Sequence, residues 1–325
     1  MKDYIKKYWY VGLISIVFIA GIIAVIVNSQ TGVVSGKKAD GKDVVYSINN
    51  TNVTADELYE ELKDRYEAPL AAMVFEREVL SRTYDYTEDQ KVEAKLESDQ
   101  TIAYYKSQLG EEKAQELIEQ ILQSMGYSKD SELVDYYLNA SAAVTLVEDY
   151  FESEYKDDFI EKENPVIMSH ILVSVPQDST MSEAEQERYV EEKMAEVDEA
   201  LKTDDFATVA TEYSTDTYSA QQQGSLGLVY KSIQFHDEFK DAAFKLEVGE
   251  ISDWVESPSG FHKILITSND FADVSADASY LQLLEQLYPS LKGEALFKQA
   301  EILNFDFSDN PEFEAQLRTS YGLGE

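Results

Sequence analysis

The sequence predicts an α+β protein with an N-terminal transmembrane helix, a helical body, and an inserted domain with a small antiparallel sheet and surrounding helices. A long apolar segment opens the chain, helical patterns fill residues 54–163 and return after residue 276, and β-rich segments alternate with short helices between them. Strands and helices mixed in this order form a sheet covered by helices. Because helical segments flank the α+β region on both sides, we expect the two flanks to pack into one body.

The apolar segment at the start of the chain spans residues 9–27, where Ser15 is the clearly polar side chain and no residue is charged. As a helix its 19 residues would extend roughly 28 Å, close to the bilayer core of about 30 Å. A cleaved signal peptide is the alternative, but its apolar run is shorter and ends in small residues, which residues 25–29 do not provide. We therefore predict an uncleaved transmembrane anchor.

The lysines before this segment set the expected orientation. Lys2, Lys6 and Lys7 predict that residues 1–8 form a cytoplasmic stub and that the rest of the chain is exported. Residues 28–43, rich in Gly, Ser and Lys, are expected to be a flexible linker.

The composition excludes several classes of function. The 325 residues include 27 Lys+Arg against 63 Asp+Glu, a formal net charge of −36 that would repel a nucleic-acid backbone. The chain has no cysteine, which excludes disulfides, zinc–thiolate sites, thiol catalysis and a lipid-modified N-terminal cysteine. The 44% of apolar residues can build a core, and the length favours more than one domain.

Residues 44–163 are expected to form the first part of the helical body. Residues 44–48 favour a strand, and capping boxes at Thr54 and Thr87 each predict a helix start. Aromatic residues near helical spacing are assigned mostly to its core: Tyr136, Tyr137, Tyr150, Phe151, Tyr155 and Phe159. Residues 271–325, with an apolar stripe beginning at Tyr280, are expected to complete this body.

The middle segment, residues 164–270, changes to β-rich patterns. Residues 166–173 predict a strand that stops before Pro176, and residues 251–255 and 261–266 predict two more. A capping box at Ser182 begins a helix with an apolar stripe, and residues 205–206 and 238–246 predict further helices.

This segment resembles the parvulin family of peptidyl-prolyl isomerases through six short motifs in order. They are residues 169–173 (SHILV), 206–216 (FATVATEYSTD), 224–227 (GSLG), 239–244 (FKDAAF), 248–252 (VGEIS) and 259–262 (SGFH). The flanks resemble PrsA-type foldases and, more loosely, SurA-like periplasmic chaperones, through residues 54–62 and 295–307. PrsA-type proteins are usually lipid-anchored through a cysteine; this chain has none, and we expect its apolar segment to serve as the anchor instead.

The parvulin resemblance implies a set of site residues. His170 and His262 would face each other on neighbouring strands and shape the site through hydrogen bonds, without proton transfer. Asp216 would lie beside the rotating carbonyl. The implied catalytic set is completed by Ser257 and Ser259, which would orient the histidines, and the implied proline pocket by Leu226, Phe235 and Phe239. The alternative is that these histidines and phenylalanines are ordinary core residues. No cofactor and no metal site are predicted, and His236 is expected to be simply exposed.

Some residues depart from the family pattern. Gln223 stands where a glycine is usual, Ser225 where an aspartate is usual, and Lys263 where an apolar residue is common. The loop at residues 176–180 lacks the Arg/Lys cluster that would bind a phosphorylated residue before proline, so no phosphate preference is expected.

The resemblance therefore implies a bacterial, membrane-anchored extracytoplasmic foldase that isomerises X-Pro bonds in unfolded or partly folded exported polypeptides. A non-catalytic holdase with a weak or silent parvulin domain is the alternative, and a scaffold acting through its acidic face is a third class. The partners expected are exported chains and the membrane, without nucleic acid, and the PrsA-type resemblance allows a homodimer.

Overall fold

The computed structural model describes residues 38–39, 42–48, 51–127, 132–176 and 180–324. The predicted anchor and most of the predicted linker lie outside these residues. Within the described part, no helix is long and apolar enough to cross a membrane.

The chain forms two compact units. One comprises residues 154–287, and the other comprises the described residues of 9–153 together with 288–325. The predicted α+β class is confirmed. The strands are β1 (Lys38–Ala39), β2 (Lys42–Ile48), β3 (Thr51–Thr54), β4 (Val166–Val173), β5 (Ser225–Val229), β6 (Val255–Ser257) and β7 (Gly260–Ser268). The helices are α1 (Ala55–Thr83), α2 (Glu88–Leu109), α3 (Glu111–Ser124), α4 (Leu133–Glu154), α5 (Lys156–Glu163), α6 (Glu183–Ala200), α7 (Phe206–Tyr213), α8 (Thr217–Ala220), α9 (Asp237–Ala243), α10 (Phe271–Ala276), α11 (Tyr280–Leu287), α12 (Leu291–Ile302) and α13 (Pro311–Ser320).

The helical unit is built around α1. A capping box starts this helix, since the Thr54 hydroxyl accepts from the Glu57 amide at 3.3 Å and the Glu57 carboxylate accepts from the Thr54 amide at 2.9 Å. Phe75 lies in the core, with its ring centroid 5.0 Å from that of Phe297 on α12. The core thus joins α1 to segments from the other end of the chain.

The second unit holds a four-stranded antiparallel sheet in the order β5-β4-β7-β6. Alternate residues of β4 and β7 serve opposite faces. One face packs against α9 through an apolar cluster that includes Met168 and Ile264. The other packs against α6 and α7 through a cluster that includes Ile171 and Val173. This unit includes α10 and α11, whereas the sequence analysis assigned residues 271–287 to the helical body.

The predicted strand at residues 251–255 is wrong. Ile251 makes only an isolated bridge to Leu265, and the strand beside β7 is β6, which begins at Val255. Ser252 explains the interruption. Its hydroxyl accepts from the Ile264 amide at 2.9 Å, so β7 bonds here to a side chain and not to the backbone carbonyl of a neighbouring strand.

Candidate active site

The sheet brings the two predicted histidines together on one face. In the register of β4 against β7, His170 is opposite Ile264 and Leu172 is opposite His262, so both histidines fall on the α9 side of the sheet. They are buried, with 6% and 5% of their surface exposed. Their Nδ1 atoms lie 3.3 Å apart, and their rings are stacked at 22°.

Asp216 approaches His170 from the connection between α7 and α8. That connection is fixed to β4, since the Thr215 amide donates to the Leu172 carbonyl at 2.7 Å. Asp216 caps α8, and its Oδ2 lies 2.9 Å from His170 Nε2. The structure therefore brings Asp216 and His170 into hydrogen-bonding distance.

Ser219 is a member of this cluster that sequence reasoning missed. It is fully buried, and its hydroxyl lies 3.0 Å from His170 Nε2. The available signal was its spacing, because a residue three positions after Asp216 on one helical turn returns to the same side. A single serine beside a loop carries no pattern of its own.

The two predicted serines behave differently. The Ser257 hydroxyl lies 2.8 Å from His262 Nε2, as expected of a residue that orients this histidine. Ser259 does not reach either paired histidine with its side chain, and its hydroxyl lies 3.2 Å from Nε2 of the exposed His236. The reason is that Ser259 lies in the hairpin loop between β6 and β7, off the face of the sheet. Its amide nevertheless donates to the Ser257 hydroxyl at 3.1 Å.

These contacts define one arrangement of hydrogen-bond donors and acceptors, and with it the tautomer of each histidine. The Asp216 carboxylate can only accept, so His170 donates from Nε2 and leaves its Nδ1 as an acceptor. His262 must then donate from Nδ1, which leaves its Nε2 to accept from the Ser257 hydroxyl. The chain of donors runs from Ser257 through both imidazoles to Asp216, and it requires both histidines to be neutral.

The electrostatics of the site agree with neutral histidines. Burial lowers the pKa of His170, although the nearby Asp216 opposes this shift. Burial, reinforced by the neighbouring His170 and His236, lowers the pKa of His262 to about 4. Burial tends to raise the pKa of Asp216, but hydrogen bonds from Ser219 and His170 outweigh it, and the pKa of this carboxyl falls below its ordinary value. At neutral pH the site therefore holds two uncharged imidazoles and a carboxylate.

The three predicted pocket residues belong to one apolar cluster on the α9 side of the sheet. Phe239 on α9 is buried, with its ring centroid 5.0 Å from that of His262 and 6.0 Å from that of His170. Phe235 meets Phe239 edge-on at 5.5 Å. Leu226 on β5 is half-buried against the same apolar cluster. This surface can accept an apolar ring next to a set of fixed polar groups.

The segment before β5 requires unusual backbone. Gly224 has φ +82°, and an added Cβ would lie 2.8 Å from the His170 carbonyl oxygen, so this close approach excludes a side chain. Gln223, at the position where the family usually has glycine, also has a positive φ of 60°. Ser225, in place of the usual aspartate, accepts from the Gly227 amide at 3.1 Å and so caps this turn with its hydroxyl.

Ser257 and His262 resemble a nucleophile with its base, but their surroundings argue against covalent catalysis. A histidine whose pKa is about 4 is a weak base at neutral pH. The Ser257 oxygen also accepts from the Ser259 amide, which reduces its nucleophilicity. The arrangement is better suited to holding a substrate and acting on its charge distribution.

Fold and site together define a parvulin-type peptidyl-prolyl isomerase, and the comparisons with known proteins agree. The PPIC-type PPIase (rotamase) family model matches residues 170–268. The foldase protein PrsA of Geobacillus kaustophilus is 30% identical over 232 residues, which cover 71% of this chain and 73% of that protein. The PrsA of Halalkalibacterium halodurans is 30% identical over 273 residues, covering 80% and 73% respectively.

The chain therefore belongs to the PrsA family of foldases, and it is a peptidyl-prolyl cis-trans isomerase that acts on unfolded polypeptides. The crystal structure of PrsA from Bacillus subtilis aligns with a TM-score of 0.37 at 24% identity, covering 83% of this chain and 96% of that one. The family assignment rests on the sequence relatives.

Proposed function

We propose that this protein is a membrane-anchored extracytoplasmic foldase that isomerises X-Pro bonds of exported polypeptides at the site formed by His170, His262 and Asp216. The observation that carries this proposal is the buried histidine pair stacked beside Phe239, with a carboxylate hydrogen-bonded to one end. Such a site offers an apolar surface for a proline ring and fixed polar groups for the peptide bond that precedes it.

The chemistry follows from the electronic change during rotation. Rotation about the peptide bond breaks amide resonance, which is why the barrier for a peptide bond is about 18–20 kcal/mol. Resonance places negative charge on the carbonyl oxygen, and the twisted amide loses part of that charge. A carboxylate such as Asp216 beside the carbonyl therefore destabilises the planar form more than the twisted form, which is the differential binding that accelerates a reaction. An apolar pocket at Phe239 and Phe235 adds desolvation of the amide.

An isomerisation assay with the full-length protein in detergent tests this proposal. We expect acceleration of cis-to-trans conversion in an Ala-Pro peptide, lost in Asp216→Ala and His262→Ala. A folded wild-type protein without any acceleration would contradict the assignment of this site.

The membrane location is supported by the sequence of residues 9–27 and by the lysines before them. We expect the protein to remain in the membrane fraction after alkaline washing. We also expect its folded part to be digested by protease added to the outside of intact protoplasts. Recovery in the soluble fraction, or protection from that protease, would contradict this location.

The absence of phosphate selectivity is supported by the loop at residues 176–180, which contains no arginine or lysine. We expect peptides with serine, phosphoserine or glutamate before proline to differ by less than about threefold in kcat/KM. A much faster turnover of the phosphoserine peptide would contradict this part of the proposal.

A holding role for the helical unit is supported by large apolar side chains exposed on α1 and α2, namely Leu70, Val92, Leu96, Tyr104 and Leu109. We expect the protein to suppress aggregation of an unfolded client even when Asp216→Ala has removed isomerisation. The homodimer stays a prediction, for which light scattering is the measurement.

A further inference from the structure

The hydrogen-bonded chain of the site is buried in its middle and reaches the surface at both ends. His170 and His262 are buried, whereas Tyr218 next to Asp216 and His236 next to Ser259 are exposed. The order along the chain is Asp216, His170, His262, Ser257 and Ser259. A peptide lying across the histidines would therefore pass one exposed residue at each end.

Tyr218 is unusual for its exposure. Its exposed fraction of 76% is the highest among the exposed large hydrophobic residues of the described part of the chain. Within that part, its ring has neither a hydrogen-bond partner nor an aromatic neighbour. Single exposed apolar residues are common in proteins, so exposure alone does not make a site.

The position of Tyr218 is what connects it to the isomerase site. Its amide donates to Asp216 Oδ1 at 3.2 Å, while Asp216 Oδ2 contacts His170. The next residue, Ser219, is fully buried and contacts the same histidine at 3.0 Å. The backbone of Tyr218 is thus held between two residues that contact His170, and its exposed side chain belongs to the same short helix as Ser219.

The position of Tyr218 beside Asp216 indicates which part of the substrate it would contact. In the proposed function, Asp216 lies beside the carbonyl that rotates, and this carbonyl belongs to the residue before proline. The side chain of that residue is then the substrate group nearest to the Asp216 end of the site. An exposed aromatic ring binds other aromatic rings and large aliphatic groups by stacking and burial.

We propose that Tyr218 is a specificity-determining residue that contacts the side chain preceding the substrate proline and favours aromatic and large aliphatic residues there. The inference rests on the proposed function, because it requires the proline to occupy the pocket at Phe239.

The test compares kcat/KM of the full-length protein for a series of peptides Ala-Xaa-Pro-Ala, where Xaa is Phe, Leu, Ala or Gln. We expect Tyr218→Ala to lower kcat/KM roughly tenfold for Phe and Leu and less than about threefold for Ala and Gln. The conservative Tyr218→Phe keeps the ring and should retain the preference. Ile302→Ala, a matched control, removes an apolar side chain of 62% exposure from the helical unit and should leave the series unchanged.

Two results would overturn the inference while leaving the isomerase site intact. One is an equal loss for all four peptides in Tyr218→Ala, which indicates a general structural role. The other is an unchanged series in that variant. A wild-type protein inactive on every peptide would instead overturn the proposed site, and the inference with it.

Discussion

His262 and Lys263 are neighbours in the sequence of β7 but lie on opposite faces of the sheet, and the two faces handle a buried titratable group in different ways. On the α9 face, His262 is surrounded by rings and loses its charge, since burial lowers its pKa to about 4. On the α6 face, Lys263 is only 12% exposed, and its ammonium lies 3.3 Å from the Asp198 carboxylate and 5.2 Å from the centroid of Trp254.

The comparison shows that the polar side chain on the α9 face belongs to the candidate active site, whereas the one on the α6 face connects elements of the fold. The Lys263 ammonium also donates to the Ser252 carbonyl at 3.2 Å, and Trp254 Nε1 donates to Asp198 at 3.0 Å. These bonds tie α6, the segment before β6, and β7 together. The apolar residue common at this family position is thus replaced by a lysine whose charge is compensated.

The largest effect is expected on the α9 face. His262→Ala removes the link between Ser257 and His170 and should reduce kcat/KM about a hundredfold, the scale of losing one preorganised polar group. Lys263→Met, on the opposite face, should change kcat/KM by less than about twofold. Isomerisation of an Ala-Pro peptide measures both, and a similar loss in the two variants would erase the difference between the faces.

The pH dependence of stability should also come from the α9 face. Above pH 6.5, His262 is neutral in both the folded and unfolded states. Between pH 6.5 and about 4, the unfolded chain binds a proton that the folded site does not. The free energy of unfolding therefore decreases as the pH is lowered through this window, and it levels off below about pH 4. The shift corresponds to about 3 kcal/mol, and partial hydration of the ring reduces the expected loss to about 2 kcal/mol.

Urea unfolding at pH 7.0 and 4.5, followed by Trp254 fluorescence in a Trp9→Phe background, measures this loss. The variant His262→Gln cannot bind the proton, so it should lose less stability than the wild type over the same interval. Equal losses in both proteins would mean that other groups dominate the acid sensitivity.

The α6 face should respond to truncation but not to an apolar replacement. Lys263→Ala removes both the ion pair and the packed stem, and we expect a loss of about 1–2 kcal/mol in the free energy of unfolding. Lys263→Met retains the stem and should cost less than about 1 kcal/mol. The same fluorescence measurement separates them, and an equal cost would show that the charge, and not the packing, anchors this face.

The smallest effect is expected at Gln223, outside both faces. A glycine adopts its positive φ without the strain of a side chain, so Gln223→Gly should raise stability by about 1 kcal/mol. Gln222→Gly, at a neighbouring residue without a positive φ, is the matched control and should not stabilise. A destabilised Gln223→Gly would indicate that the glutamine side chain contributes more than the backbone strain costs.

Sequence reasoning predicted the parts of this site that repeat a pattern. The family motifs led to His170, His262 and Phe239, and the register of β4 against β7 places both histidines on one face, within ring contact of Phe239. It failed where a turn decides the direction of a side chain. Ser259 lies in a hairpin loop, and Ser219 lies on a helix of one turn, so neither has the periodicity that assigns a residue to a face.

The order of protons in the site also gives it a direction. In every hydrogen bond from Ser257 to Asp216 the donor lies on the Ser257 side, so the dipoles of the two imidazoles add instead of cancelling. Asp216 fixes this direction because a carboxylate cannot donate. An asparagine at position 216 can donate as well as accept, which allows both rings to exchange tautomers together. The direction of this row of hydrogen bonds is therefore set by the carboxylate oxygen of Asp216 at its end. The nitrogen chemical shifts of the two histidines would report a reversal of that direction.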